Sequence, residues 1–153
     1  MSVPPFGRNS SVASSTAAAN DAATAARTLG FTHGKIVQEL GYDDDVDLDL
    51  RDAIEDAIDA DLEDEDTQEI VDAVIMWWRS DDGDLVDGLM DALTSLAEGC
   101  PIWLLTPKPG RSGHVNFADI EESASLAGLQ AMSSVSLAAD WLGTRLAPSK
   151  ARS

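Results

Sequence analysis

Apolar residues recur along this chain with two distinct rhythms. Leu50, Ile54, Ile58 and Leu62 fall four residues apart, which places them on one stripe of a helix with a single buried face. Leu85, Leu89, Leu93 and Leu96, joined by Val86 and Met90, predict a second amphipathic helix over Asp84–Leu96. By contrast, Ile70–Trp78 (IVDAVIMWW) and Pro101–Thr106 (PIWLLT) are mostly continuous apolar runs, the pattern of strands covered on both faces. Strand, helix and strand within about 35 residues make a βαβ unit, whose crossover is right-handed and whose strands are parallel.

The remaining segments extend this plan. An alanine-rich run from Ala17 to Leu29 favours helix, and Gly30 stops it. Lys35–Gly41 (KIVQELG) reads as a short strand with Ile36 and Val37 inside, although Glu39 and Leu40 also suit a helix. A helix is expected near Phe117–Ala127, ended by Gly128. Leu129–Leu137 and Trp141–Ala147, separated by Ala138, Ala139 and Asp140, suit an antiparallel hairpin. The fold class expected is α/β: a small Rossmann-like three-layer sandwich, with parallel strands ending in an antiparallel C-terminal hairpin. One domain is expected over residues 17–147, between a low-complexity, disordered tail at 1–16 and a basic tail at 148–153.

Charge changes the picture more than composition does. The formal net charge is −18, and 22 of the 28 acidic residues lie between Asp43 and Glu98, facing two arginines, Arg51 and Arg79. Such a field repels phosphate backbones and anionic lipid surfaces, so neither a nucleic acid nor a membrane is an expected partner. It leaves a basic protein surface, cations, or water alone, the last being the solubilising role that surface acids commonly have. On the helix after Asp49, the acids Asp52, Glu55, Asp56 and Asp59 fall on the solvated side and are the candidate partner-binding residues. Cys100 is the single cysteine, which excludes an intrachain disulfide and suits a reducing compartment; at the start of a strand it is expected as an inert core thiol. No apolar run approaches the roughly 20 residues of a membrane helix, and residues 9–19 lack a secretory apolar core, so a cytoplasmic location is expected.

Motifs that carry chemistry are scarce. Asp43, Asp45 and Asp47 match the opening of a calcium loop, but Leu48 stands where the loop needs glycine and Ile54 where it needs glutamate. Asp82 and Asp84 fail in the same way at Val86 and Leu93. One cysteine and two distant histidines, His33 and His114, make no zinc pattern, and neither a nucleophile elbow nor a phosphate-binding glycine loop of the Walker type occurs. No catalytic residue, metal or cofactor is therefore expected. Topology still designates a place, because parallel α/β sheets bind ligands outside the carboxyl ends of their strands. Two loops should meet there. The first contributes Trp78, Arg79, Asp82 and Asp84, and the second Thr106, Lys108, Arg111 and His114. An anion held by Lys108, Arg111 and loop amides is one reading; ion pairs from Lys108 and Arg111 to Asp82 and Asp84 that merely fix the loops is the other.

The segments IVQELGYDDD, IVDAVIMWWRSDDGDLVDGLMDAL, IWLLTPKPGRSGHV and DWLGTRL resemble an actinobacterial family, domain of unknown function three thousand and fifty-two, over about Ala25 to Lys150. The resemblance implies a bacterial, cytosolic protein and brings no activity with it. The order of elements is also similar to the second half of class I methyltransferases. That likeness implies a glycine-rich cofactor loop after the first strand; here Glu39–Asp45 offers one glycine, a tyrosine and three consecutive acids. Tyr42–Thr67 is moreover too short for the usual second strand and its helix, so S-adenosylmethionine binding is not expected. The leading expectation is a non-catalytic, acidic interaction or regulatory module facing a basic partner. A small-molecule binder of an anion or nucleotide-like ligand, or a divergent methyltransferase-like enzyme using loops 79–84 and 106–114, is the alternative. A structural homodimer is a third.

Overall fold

The computed structural model describes residues 22–148. The expected tail at 1–16 and, of the tail expected at 148–153, residues 149–153 lie outside the described residues, while Pro148 is the last residue of β5. Residues 22–29 are helical (α1), followed by β1 (Val37–Leu40), α2 (Leu48–Ile58), β2 (Ala73–Trp77), α3 (Leu85–Leu93), β3 (Ile102–Pro107), α4 (Phe117–Leu126), β4 (Leu129–Ser136) and β5 (Trp141–Pro148). The five strands form one sheet in the order β1-β2-β3-β5-β4. β1, β2 and β3 run parallel, and the β4–β5 hairpin joins antiparallel to β3. This is the α/β architecture that the pattern of strands and helices predicts.

Period-two alternation sorts the strand side chains between two cores. Val37, Ala73, Ile75, Trp77, Trp103 and Leu105 pack against α1 and α2, whereas Val74, Met76, Ile102 and Leu104 pack against α3 and α4. Helices thus cover both faces of the central strands, which is why β2 and β3 are buried along their full lengths. On α2, Leu50, Ile54 and Ile58 are buried, each contributing about 1.5–3 kcal/mol from its removal from water.

Local chemistry sets where the elements begin and end. Asp47 caps α2 by accepting from the Leu50 amide, and Asp84 caps α3 by accepting from Val86. Helix α2 stops at Asp59, which takes a left-handed conformation (φ 60°). Leu62 therefore lies beyond the helix that its spacing suggests, although it still packs on the α2 core. Ile70 is exposed and precedes β2, and Met90 is exposed because α3 turns its Leu85, Leu89 and Ala92 side inward. Cys100 is half-buried ahead of β3, short of the core position expected for it.

The free edge of β1 is closed by a single residue. The Glu63 amide donates to the Val37 carbonyl (2.8 Å) and its carbonyl accepts from the Glu39 amide (2.8 Å). One parallel bridge therefore stands where a further strand would extend the sheet. Among the described residues no helix is long and apolar enough to cross a membrane.

Candidate functional site

The carboxyl ends of β1 and β2 converge on Arg79. Alternation points this residue to the same side as Trp77, toward α2. The Arg79 amide donates to Asp82 Oδ2 (2.9 Å) and the Asp82 amide returns a bond to the Arg79 carbonyl (2.9 Å), which closes the turn after β2. The guanidinium then reaches across the strand ends. Nη1 donates to the Gly41 carbonyl (2.8 Å) and to Asp82 Oδ2 (3.3 Å), while Nε (3.0 Å) and Nη2 donate to the two oxygens of Asp45. Its carbon lies 5.3 Å from the centre of the Trp141 ring, whose Nε1 donates to the Asp45 carbonyl. Gly113 packs on the Arg79 side chain, and its carbonyl accepts from the Ser80 amide (2.9 Å).

Arg79 is therefore held on every side. Burial works against its charge, but the hydrogen bonds and field of Asp45 and Asp82 outweigh that and hold its pKa above the ordinary arginine value. The hydrogen bond from Arg79 in turn holds the Asp45 carboxyl below the usual carboxylate range.

A second ion pair sits one layer deeper. Glu39 is buried in β1 and accepts a fork from Arg51 of α2, Nε at 2.6 Å and Nη2 at 2.8 Å. Trp77 Nε1 donates to the same carboxylate (2.8 Å). Tyr42 lies against the Arg51 guanidinium, 4.9 Å from ring centre to carbon. Hydrogen bonding to Glu39 raises the Arg51 pKa. A carboxylate inside a parallel strand is absent from the candidate sites of the sequence. The signal available in the sequence was a lone glutamate inside the strand-like run KIVQEL.

The loops expected to converge do touch, at Ser80 and Gly113, but their charged groups part company. Arg111 pairs with Asp140 (3.1 Å), not with Asp82 or Asp84, because the second loop leans over the β4–β5 turn. The Lys108 amide is bonded to the Asp140 carbonyl, and Lys108 borders a hollow beside α1. Asp84 serves as the α3 cap. Trp78 packs over Gly88 of α3 and borders, with Arg79 and Asp82, a groove of about 870 Å³ along the α3 side of β1. Thr106 and His114 line a separate cavity near the start of α4. On α2, Asp52 and Asp56 are exposed, Glu55 is engaged with the Leu62 amide (2.9 Å), and Asp59 ends the helix.

The sequence matches the model of a family described as "protein of unknown function (DUF3052)" over residues 26–150. The chain belongs to that family. Uncharacterised proteins of Mycobacterium tuberculosis and Mycobacterium bovis are 50% identical to it over 139 residues, covering 91% of this chain and 87% of theirs. Among solved structures, this DUF3052 chain is similar to a SAM-dependent methyltransferase from Aquifex aeolicus (TM-score 0.58, 11% identity, 84% of this chain and 90% of that one). It is also similar to the mitomycin 7-O-methyltransferase (TM-score 0.55, 11% identity, 87% of this chain and 54% of that one). At such identities the likeness is one of fold.

The loop after β1 differs from the glycine-rich loop that the methyltransferase resemblance implies. In place of an open glycine loop, Tyr42–Asp45 follows β1 and Asp45 is tied to Arg79. The Arg79 guanidinium spans the ends of β1 and β2 by its bond to the Gly41 carbonyl, beside the groove that Trp78 borders, and Glu63 makes the one bridge on the outer edge of β1.

Proposed function

We propose that this DUF3052 protein is a non-catalytic, acidic interaction module on a methyltransferase-like scaffold, with a basic protein surface as its partner. The observation that carries this reading is the fate of the two arginines between Asp43 and Glu98. Arg51 is turned inward onto Glu39, and Arg79 is turned inward onto Asp45 and Asp82. Most of the segment's remaining carboxylates are exposed, with no cation from the same segment among them, and the Arg79 guanidinium is committed to Asp45, Asp82 and the Gly41 carbonyl. Charge of one sign on a rigid surface steers and selects a partner of the other sign.

Crosslinking with mass spectrometry in the native cell tests this, comparing wild type with Asp52→Asn/Asp56→Asn. Both residues are exposed, so the substitution spares the internal bonds of Glu55. Lysine- or arginine-rich partners should crosslink to the acidic face, weaken in the variant, and dissociate as salt shortens the screening length. An association indifferent to salt, or saturable S-adenosylmethionine binding by calorimetry, would sink the reading.

A further inference from the structure

Thr106 is the penultimate residue of β3, 1% exposed, and its hydroxyl has no hydrogen-bond partner among the described residues. A buried hydroxyl without a partner costs about 1–3 kcal/mol, so its position calls for an explanation. By alternation with Ile102 and Leu104 it faces α3 and α4, and there it lines a cavity of about 400 Å³. The cavity lies outside the carboxyl end of β3, between the start of α4 and the β4–β5 hairpin. Its floor is apolar, from Val115, Phe117, Ile120 and Leu142.

Polar groups converge on the same space. Helix α4 begins at the cavity wall, and unlike α2 and α3 it has no side-chain cap: Asn116 makes no such hydrogen bond. Its first amides, Phe117 and Ala118, carry the positive end of a ten-residue helix. His114 Nδ1 donates to the Pro107 carbonyl (2.8 Å), which fixes the ring at the rim. Ser133 and Ser134 complete the polar side. Asp119, in the first turn, is exposed and does not line the cavity.

We propose that this cavity binds a small monocarboxylic acid with a compact apolar body. The carboxylate sits on the α4 amides and the Thr106 hydroxyl, and the hydrocarbon on Phe117, Ile120 and Leu142. A helix N-terminus with a free hydroxyl offers neutral donors to an anion. A phosphate dianion would call for an arginine or lysine fork, and His114 is the single titratable residue in the lining. The net charge of −18 also repels a dianion more strongly than a monoanion. The volume lies at the small end of ligand pockets, which begin at about 300 Å³. This site is independent of the acidic face, and its test does not depend on any partner.

The test is a titration of the full-length, ¹⁵N-labelled chain, read at the Phe117 and Ala118 amides. The probes are sodium isovalerate, its neutral analogue isovaleramide, and inorganic phosphate. Isovalerate should shift both amides saturably, and isovaleramide should bind at least about tenfold more weakly, the ratio expected for losing a charge-assisted hydrogen bond. Thr106→Val should weaken isovalerate several-fold; if that variant does not fold, the comparison of probes on wild type decides. Absence of a saturable shift, equal binding of the amide, tighter binding of phosphate, or undiminished binding by a folded Thr106→Val protein would each overturn the proposal.

Discussion

Arg79 uses both edges of its guanidinium fork, and at residue scale nothing else at the strand ends has comparable consequences. Arg79→Ala leaves the Gly41 carbonyl and the Asp45 carboxylate without their side-chain donor, and leaves Asp82 only the backbone amide of residue 79. It should cost about 2–3 kcal/mol in urea denaturation, below the 3–5 kcal/mol of a fully buried pair because Asp45 is half exposed. Arg79→Lys should recover only part, since an ammonium cannot reproduce the fork. The pair also has a pH signature. The Asp45 pKa is depressed in the folded state, so the stabilisation is fully present above the ordinary aspartate value of about 3.9 and is lost as pH falls through the lower folded value. Wild type should lose this increment in acid, and Asp45→Asn should lack that part of the acid dependence when both are followed by denaturation across pH. At Glu39, Gln keeps an acceptor for Trp77 but not the charge for Arg51, whereas Leu removes both. Glu39→Leu should thus be less stable than Glu39→Gln by about 1 kcal/mol.

At the scale of elements, the turn after β1 explains why this strand ends where it does. Gly41 has φ 77°, and a methyl group built on it would overlap the Trp77 carbonyl oxygen of β2. Gly41→Ala should therefore destabilise by about 2–4 kcal/mol, combining left-handed backbone strain of about 1–2 kcal/mol with displacement of a neighbouring strand. A thermal melt against Gly30→Ala separates the two contributions, because Gly30 has a similar φ but open space at its Cβ. Elements were the most legible part of the sequence. Runs such as MWW and IWLL announce strands covered twice, and the four-residue spacing of Leu50, Ile54 and Ile58 announces a helix. Element ends were less legible, as Leu62 and Ile70 show. Hydrophobic period reports which residues are buried, whereas a single left-handed residue such as Asp59 ends a helix without altering that period.

At the scale of the molecule, the charge is segregated and uncompensated. Like charges on one surface repel the compact state, and added salt screens them over about 8–10 Å near physiological ionic strength. Raising sodium chloride from about 10 mM to about 150 mM, which shortens the screening length severalfold, should raise Tm by about 3 °C. A shift of that size corresponds to about 1 kcal/mol in a chain of this length. A scanning-fluorimetry series measures it, and a Tm that falls or stays level would show that the carboxylates are compensated in ways the fold does not reveal.

The sequence by itself determined the class of the fold, the covered strands, the amphipathic helices and the acidic middle, because each is written in local periodicity or composition. Tertiary structure decided which charges meet. Lys108 and Arg111 were placed opposite Asp82 and Asp84 by the order of elements, but Arg79 took Asp82 together with Asp45, 34 residues away, and Arg111 took Asp140. Thr106 and His114 likewise left the loop pair for a cavity at α4. Pairing of this kind depends on the register between strands and the lean of a loop, distances of a few ångströms that no repeat along the chain encodes.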